Sequence, residues 1–246
     1  MSWEFIQVGS ARSVTTGDLT ANLPATCLPG DLLVACIAGR GNAAFAAPVG
    51  WAIIEQLAAG NASSSGGPTN AGIGLMAYRI HESGDVSPTF TRSGGDAGYA
   101  RVVCYRHTSA ITLGDSGIER PAVGAETITL AAGIDTTTAN ELIVACLCGG
   151  DNDFASGFTA TDPSTPSGDT DTSTQPTGAW IERSDNTTTA GADTSLAIAD
   201  AVKSAPGNTG PISATHARDC RHVLIAAAFR AGASERQRSR LILTPW

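Results

Sequence analysis

Two stretches decide the fold: Asp31-Leu-Leu-Val-Ala-Cys-Ile-Ala-Gly39 and, 110 residues further on, Glu141-Leu-Ile-Val-Ala-Cys-Leu-Cys-Gly149. Each places seven apolar residues between an acid and a glycine. That length suits a strand and is short for a helix. Both alternating faces are apolar, so both stretches are expected to be central strands covered on either side.

The similarity extends outward in order. Gly50-Trp51-Ala-Ile-Ile-Glu55 is echoed by Ala179-Trp180-Ile-Glu-Arg183, and Ile73-Gly-Leu-Met-Ala-Tyr-Arg-Ile80 by Thr194-Ser-Leu-Ala-Ile-Ala-Asp-Ala201. A proline-bearing strand follows in each half, Ser87-Pro-Thr-Phe-Thr91 and Gly210-Pro-Ile-Ser-Ala-Thr215. Each half then closes on a strand ending aromatic-arginine, at Tyr105-Arg106 and at Phe229-Arg230. Five blocks in one order point to duplication. Each block is short, rich in Val, Ile, Leu, Thr and aromatics, and bounded by Gly, Pro, Asn and Asp. Thr127-Ile-Thr-Leu130 alternates with the period of a half-buried strand. The expected fold is all-β, a β-sandwich or jelly roll of two tandem pseudo-repeats, 1–115 and 116–230, with an extended C-terminal arm at 231–246.

The composition agrees. Hydrophobic residues make up 42% of the 246, but charged residues only 15%. Long surface helices need more Glu, Lys and Arg than that. The formal net charge of -8 repels phosphate backbones, so no nucleic-acid partner is expected. No apolar run approaches the roughly 18 residues of a membrane span, so no membrane insertion is expected. The start, Met1-Ser-Trp-Glu4, has neither the basic nor the apolar region of a Sec-type signal. Cysteines stand at 27, 36, 104, 146, 148 and 220. They are expected to be reduced, with Cys146 and Cys148 sharing a strand face but poorly placed to bridge.

Gly60–Asn70 and Asp151–Thr177 lack an apolar pattern and are expected to be long surface loops, where binding commonly resides on a rigid sandwich. Trp51 and Trp180 occupy equivalent positions; they are core packing or, alternatively, a solvent-facing platform for glycan rings. Asp151, Asp153, Asp162, Asp169 and Asp171 could supply oxygen ligands to calcium but lack the spacing of a calcium loop. No metal site and no cofactor are expected.

Gly114-Asp115-Ser116-Gly117 matches the tetrapeptide around the nucleophile of chymotrypsin-like proteases. Neither His81 nor His107 lies in the context that family gives its base, and the motif falls at the junction between repeats, where a turn is expected. A triad needs base and orienting acid together. A serine hydrolase acting through Ser116 is thus the least favoured function, and no catalytic residue is expected.

Beyond Arg230 the chain turns basic and polar, then apolar. Arg236, Arg238 and Arg240 precede Leu241, Ile242, Leu243 and the terminal Trp246. Arginine, leucine and tryptophan are typical anchors of interfaces. These seven residues are the candidate partner-binding set.

The ordered pattern Gly-Asp-Leu-Leu-Val-Ala, Pro48-Val-Gly-Trp51, Ala77-Tyr-Arg79, Thr89-Phe-Thr91 and Cys104-Tyr-Arg106, with a second degenerate copy, resembles β-sandwich proteins of tailed bacteriophages and prophages. It covers most of residues 1–230. The second copy departs from it at Thr177-Gly-Ala-Trp180 and at Ala199-Asp200. The resemblance implies a non-enzymatic virion component: a capsid decoration, head fibre or tail-associated protein. It implies assembly in the host bacterial cytoplasm, location in the virion, partners among capsid or tail subunits, and a homo-oligomer. A carbohydrate-binding module that contacts host-surface glycans through Trp51 and Trp180 is the alternative function.

Overall fold

The structure is a computed structural model that describes residues 2–41, 44–58, 72–95, 97–120, 125–150, 155–160, 180–188, 194–220 and 222–232. Among these residues there is no helix. The first half contributes β1 (Glu4–Val8), β2 (Arg12–Val14), β3 (Leu19–Thr20), β4 (Leu32–Arg40), β5 (Phe45–Ala46), β6 (Ala52–Ala58), β7 (Gly72–Ile80), β8 (Thr89–Arg92) and β9 (Ala97–Arg106). The second contributes β10 (Ile111–Glu119), β11 (Ala125–Leu130), β12 (Asp135–Thr136), β13 (Glu141–Gly149), β14 (Ala155–Ala160), β15 (Ile181–Thr188), β16 (Thr194–Lys203), β17 (Gly207–Asn208), β18 (Ile212–Cys220) and β19 (His222–Ala231). The fold is an all-β sandwich in which neighbouring strands pair antiparallel.

Each half has one large and one small sheet. The large sheets run β1-β9-β4-β7-β6, with β2 also on β9, and β10-β19-β13-β16-β15. The small sheets run β3-β8-β5 and β11-β18-β14, and β12 with β17 forms a separate ribbon. Read position by position, the two large sheets have the same strand order. They share a detail as well: β6 bulges against β7 between Ile53 and Glu55, and β15 bulges against β16 between Glu182 and Ser184. Both bulges lie just beyond the paired tryptophans.

Alternation along the two central strands shows how the layers stack. Leu32, Val34, Cys36 and Ala38 of β4 meet Leu142, Val144, Cys146 and Cys148 of β13 in one shared core. Leu33, Ala35 and Ile37 point the other way, onto Leu19, Phe45 and Phe90 of the first small sheet. Ile143, Ala145 and Leu147 likewise point onto Ile128, Leu130, Phe158 and Ile212 of the second. The molecule is therefore four sheets deep, and the large sheets pack back to back at its centre. Both central strands are apolar on two faces because each is covered on two faces. Burying a Leu, Ile or Val side chain contributes roughly 1.5–3 kcal/mol, so these strands dominate the stabilisation.

Turns follow from local sequence. In Leu28-Pro-Gly-Asp31 the Asp31 amide donates to the Leu28 carbonyl at 3.0 Å, with Gly30 at φ 97°. In Pro48-Val-Gly-Trp51 the Trp51 amide donates to the Pro48 carbonyl at 3.1 Å, with Gly50 at φ 86°. Both have the glycine at the third position that a type II turn requires. In the second half Asn140, at φ 61°, takes the place of Gly30 before β13. Asparagine is among the few other residues that adopt this conformation readily.

Two sequence expectations need correction. Asp151–Thr177 is not loop throughout, because Ala155–Ala160 forms β14. Its one large apolar side chain, Phe158, is fully buried and stacks on Trp180 with centroids 6.0 Å apart. The Gly114–Gly117 tetrapeptide is not a turn. It lies within β10, at the irregularity between Leu113 and Ser116 where β10 pairs with β19. The connection between the two large sheets is at 107–110, and the expected boundary at 115 falls inside β10.

Candidate functional site

Among the described residues, a close group of reactive side chains lies where the 21–31 connection crosses the rim of the first sandwich. Asp31, buried just before β4, receives two hydrogen bonds from Arg106 at the end of β9, Nε to Oδ1 and Nη2 to Oδ2, both 2.8 Å. Its Oδ2 also accepts the Leu28 amide at 2.7 Å and the Cys104 thiol at 3.6 Å. Cys104 is buried, and Cys27 is partly exposed beside it. The two sulfur atoms and an Asp31 oxygen all lie within 4.8 Å of one another.

The electrostatics separate the two thiols. The neighbouring Cys104 side chain lowers the Cys27 pKa below its ordinary value, and Arg106 adds to this against burial and the Asp31 charge. The Cys27 side chain, with burial and the Asp31 charge, raises the pKa of Cys104 far above the ordinary thiol range. For Asp31, burial raises the pKa, but the hydrogen bonds from Arg106 and Leu28 outweigh it and hold the carboxyl low. Cys27, Cys104 and Asp31 form a donor set that a thiolate-seeking cation could use. The paired guanidinium, however, already satisfies both Asp31 oxygens.

A second polar group sits inside the shared core. Asp200 of β16 is fully buried and faces the first half. It accepts Nε and Nη2 of Arg183 and, at 3.0 Å, the hydroxyl of Tyr105 from β9. The Arg183 guanidinium lies 4.0 Å from the centroid of the Phe5 ring. Burial raises the Asp200 pKa despite Arg183. Burial, with the Asp200 charge, also raises that of Tyr105 well above its ordinary value. This network ties the halves together, as do Trp3 Nε1 to the Asn140 carbonyl at 2.9 Å and Arg101 to Asn186 at 3.0 Å.

The structure then places the residues singled out from sequence. Trp180 is fully buried and Trp51 is 9% exposed, packed edge-on against Phe90 at 6.0 Å. The glycan platform is corrected accordingly: sugar stacking needs an accessible indole face, and both rings are in the core. The Ser116 hydroxyl donates to Glu55 Oε1 at 2.9 Å, and Asp115 accepts the Asp135 amide at 2.8 Å. Both are thus engaged in holding β10 against neighbouring elements. Arg236, Arg238, Arg240, Leu241, Ile242, Leu243 and Trp246 lie outside the described residues, as do Gly60–Asn70 and the aspartates at 151, 153, 162, 169 and 171.

The structure also brings together a serine and a histidine that the sequence kept apart. Ser195 Oγ lies 3.0 Å from His216 Nε2, and the His216 ring stacks on His222 at 5.6 Å. All three are buried. Burial, with His216 beside it, lowers the His222 pKa to about 4. These residues fill the inside of the second sandwich, where Gly149 pairs with both Ser195 and His222. No sequence spacing announced them, because three different strands supply the group.

Neither a protein-family model nor a curated protein nor a solved structure matches the chain.

Proposed function

We propose that this protein is a non-enzymatic virion structural component of a tailed bacteriophage: a capsid decoration, head fibre or tail-associated protein that attaches to the particle and displays surface loops. The observation that carries this reading is one end of the first sandwich. There Arg79 Nη2 reaches Glu82 and Asp85 at 3.0 and 2.6 Å, while its Nη1 donates to the Val49 carbonyl at 3.4 Å. Gly30 donates to the His81 carbonyl at 2.9 Å, and His81 to the Asp31 carbonyl at 2.8 Å. Three connections are thereby fixed to one another, and their tips hold Val49 98%, Val86 80% and Leu28 55% exposed. Apolar side chains held outward on a rigid frame suit contact with a partner. Repetition on a symmetric particle turns many weak contacts into stable attachment.

Resemblance of the strand-and-turn pattern to phage β-sandwich proteins supports the same reading, as does the matching strand order of the two large sheets, which fits a duplicated scaffold. The basic and apolar segment 231–246 is the proposed attachment arm. The test is incorporation into gradient-purified particles of the full chain and of a chain ending at Gly232. The full chain is expected to co-sediment at a fixed copy number, and the truncated chain to stay at the top of the gradient while keeping its β spectrum. Equal incorporation of both would refute the arm. Absence of the full chain from every particle fraction would refute the virion assignment.

A further inference from the structure

We propose that Cys27 and Cys104 form an oxidant-reactive thiol pair that closes to a disulfide and fastens the 21–31 connection to β9. The inference is independent of where the protein acts. It rests on the placement of the two sulfurs, which share a 4.8 Å cluster with Asp31. One is reachable from solvent and the other is buried behind it.

The remaining cysteines whose side chains are described differ. Cys36, Cys146 and Cys148 are buried in the core between the large sheets. Cys146 and Cys148 approach to 4.0 Å between sulfurs, yet they lie two apart on β13, a spacing unsuited to a bridge, and well away from solvent. Among the cysteines whose side chains are described, Cys27 alone combines exposure with a neighbouring thiol. Sensor thiols have the same combination: an accessible, acidified sulfur with a second cysteine behind it to resolve the oxidised state.

The roles follow from the surroundings. Cys27 is the attacking sulfur, because it is partly exposed whereas Cys104 is buried. Its thiolate attacks one oxygen of hydrogen peroxide. The O–O bond breaks, the departing hydroxide takes up the thiol proton to become water, and Cys27 becomes a sulfenic acid. The Cys104 sulfur then attacks the Cys27 sulfur. The S–O bond breaks, and the leaving hydroxide takes the Cys104 proton to form a second water. Two thiols and one hydrogen peroxide thus give one disulfide and two waters. Asp31, accepting the Cys104 thiol at 3.6 Å, orients the resolving sulfur.

Motion needed for closure falls on one side. Cys104 is held in β9 between β1 and β4, opposite Gln7 and Leu33. Cys27 lies in a connection without ladder partners and can advance to bonding distance.

The experiment uses the full reduced chain treated with one equivalent of hydrogen peroxide under native conditions. The expected result is a mass loss of about 2 Da, a cross-linked peptide containing Cys27 and Cys104, and a higher unfolding midpoint that returns on reduction. The Cys104→Ser variant should leave Cys27 as a sulfenic acid trapped by dimedone. The Cys27→Ser variant should leave Cys104 unmodified. Alkylation of Cys27 should run roughly tenfold or more ahead of that of Cys36, Cys104, Cys146 and Cys148. A folded wild type that gives no Cys27–Cys104 peptide, or a folded Cys104→Ser protein whose Cys27 is not trapped, would overturn the proposal.

Discussion

Asp200 occupies the position where a charge is hardest to keep: the middle of the core between two large sheets. Asp200 stands opposite Val144, as Tyr78 stands opposite Val34 in the first half. Its register position matches that of an aromatic in the first half, and the charge is tolerated because Arg183 and Tyr105 together occupy its oxygens. Removing one member of such a pair costs about 3–5 kcal/mol, since the partner is left buried and uncompensated. Asp200→Leu is expected to lose about that much in urea unfolding. Adding Arg183→Leu should recover most of the loss, leaving the unpaired Tyr105 hydroxyl to cost about 1–3 kcal/mol. Strictly additive losses in the two single variants would contradict the pairing. The sequence showed Asp200 only as a departure from the tyrosine-arginine of the first half. Its partners lie 17 and 95 residues away, and no local pattern connects them. The same reason hid Cys27 from Cys104 and Ser195 from His216. Asp31 and Glu141 make the complementary point. They head equivalent strands, yet Asp31 is paired to Arg106, whereas Glu141 Oε1 accepts the amides of Thr137 and Thr138 at 2.8 and 2.6 Å.

Legibility was greatest for the central strands. Seven apolar residues between an acid and a glycine identified β4 and β13, and alternation identified β11, whose Ile128 and Leu130 are buried while Thr129 meets Ser213 across the ladder at 2.8 Å. The two type II turns were not read from sequence, although Leu28-Pro-Gly-Asp31 and Pro48-Val-Gly-Trp51 both carry glycine at the third position. Strand β14 was missed because only Phe158 among Ala-Ser-Gly-Phe-Thr-Ala carries a large apolar side chain, so propensity was silent and tertiary packing decided. The contact between the large sheets has its own requirement in β7. At Gly74 an added Cβ would stand 3.0 Å from Val223 Cγ1 and 3.2 Å from Cys148 Sγ. The sheets approach closely there because the residue has no side chain. Gly74→Val is expected to force them apart and cost about 1–3 kcal/mol, the usual range for overpacking. Chemical denaturation measures it; an unchanged midpoint would mean that the sheets do not meet at Gly74.

The whole molecule depends on that central layer. One core takes residues from both halves, from Trp3 and Leu32 to Phe229. A half on its own would expose the inner faces of β4, β7 and β9 or those of β13, β16 and β19 to water. The halves are thus two sandwiches by topology and a single unit by packing. A scaffold of this kind holds the described connections at 28–31, 47–51 and 81–88 in fixed relation, which the proposed attachment to a particle uses. The shared core also predicts how the chain melts. Differential scanning calorimetry of the full reduced chain should give one transition, with the calorimetric enthalpy equal to the van't Hoff enthalpy. Two separable transitions, each reproduced by one half expressed alone, would contradict the shared core.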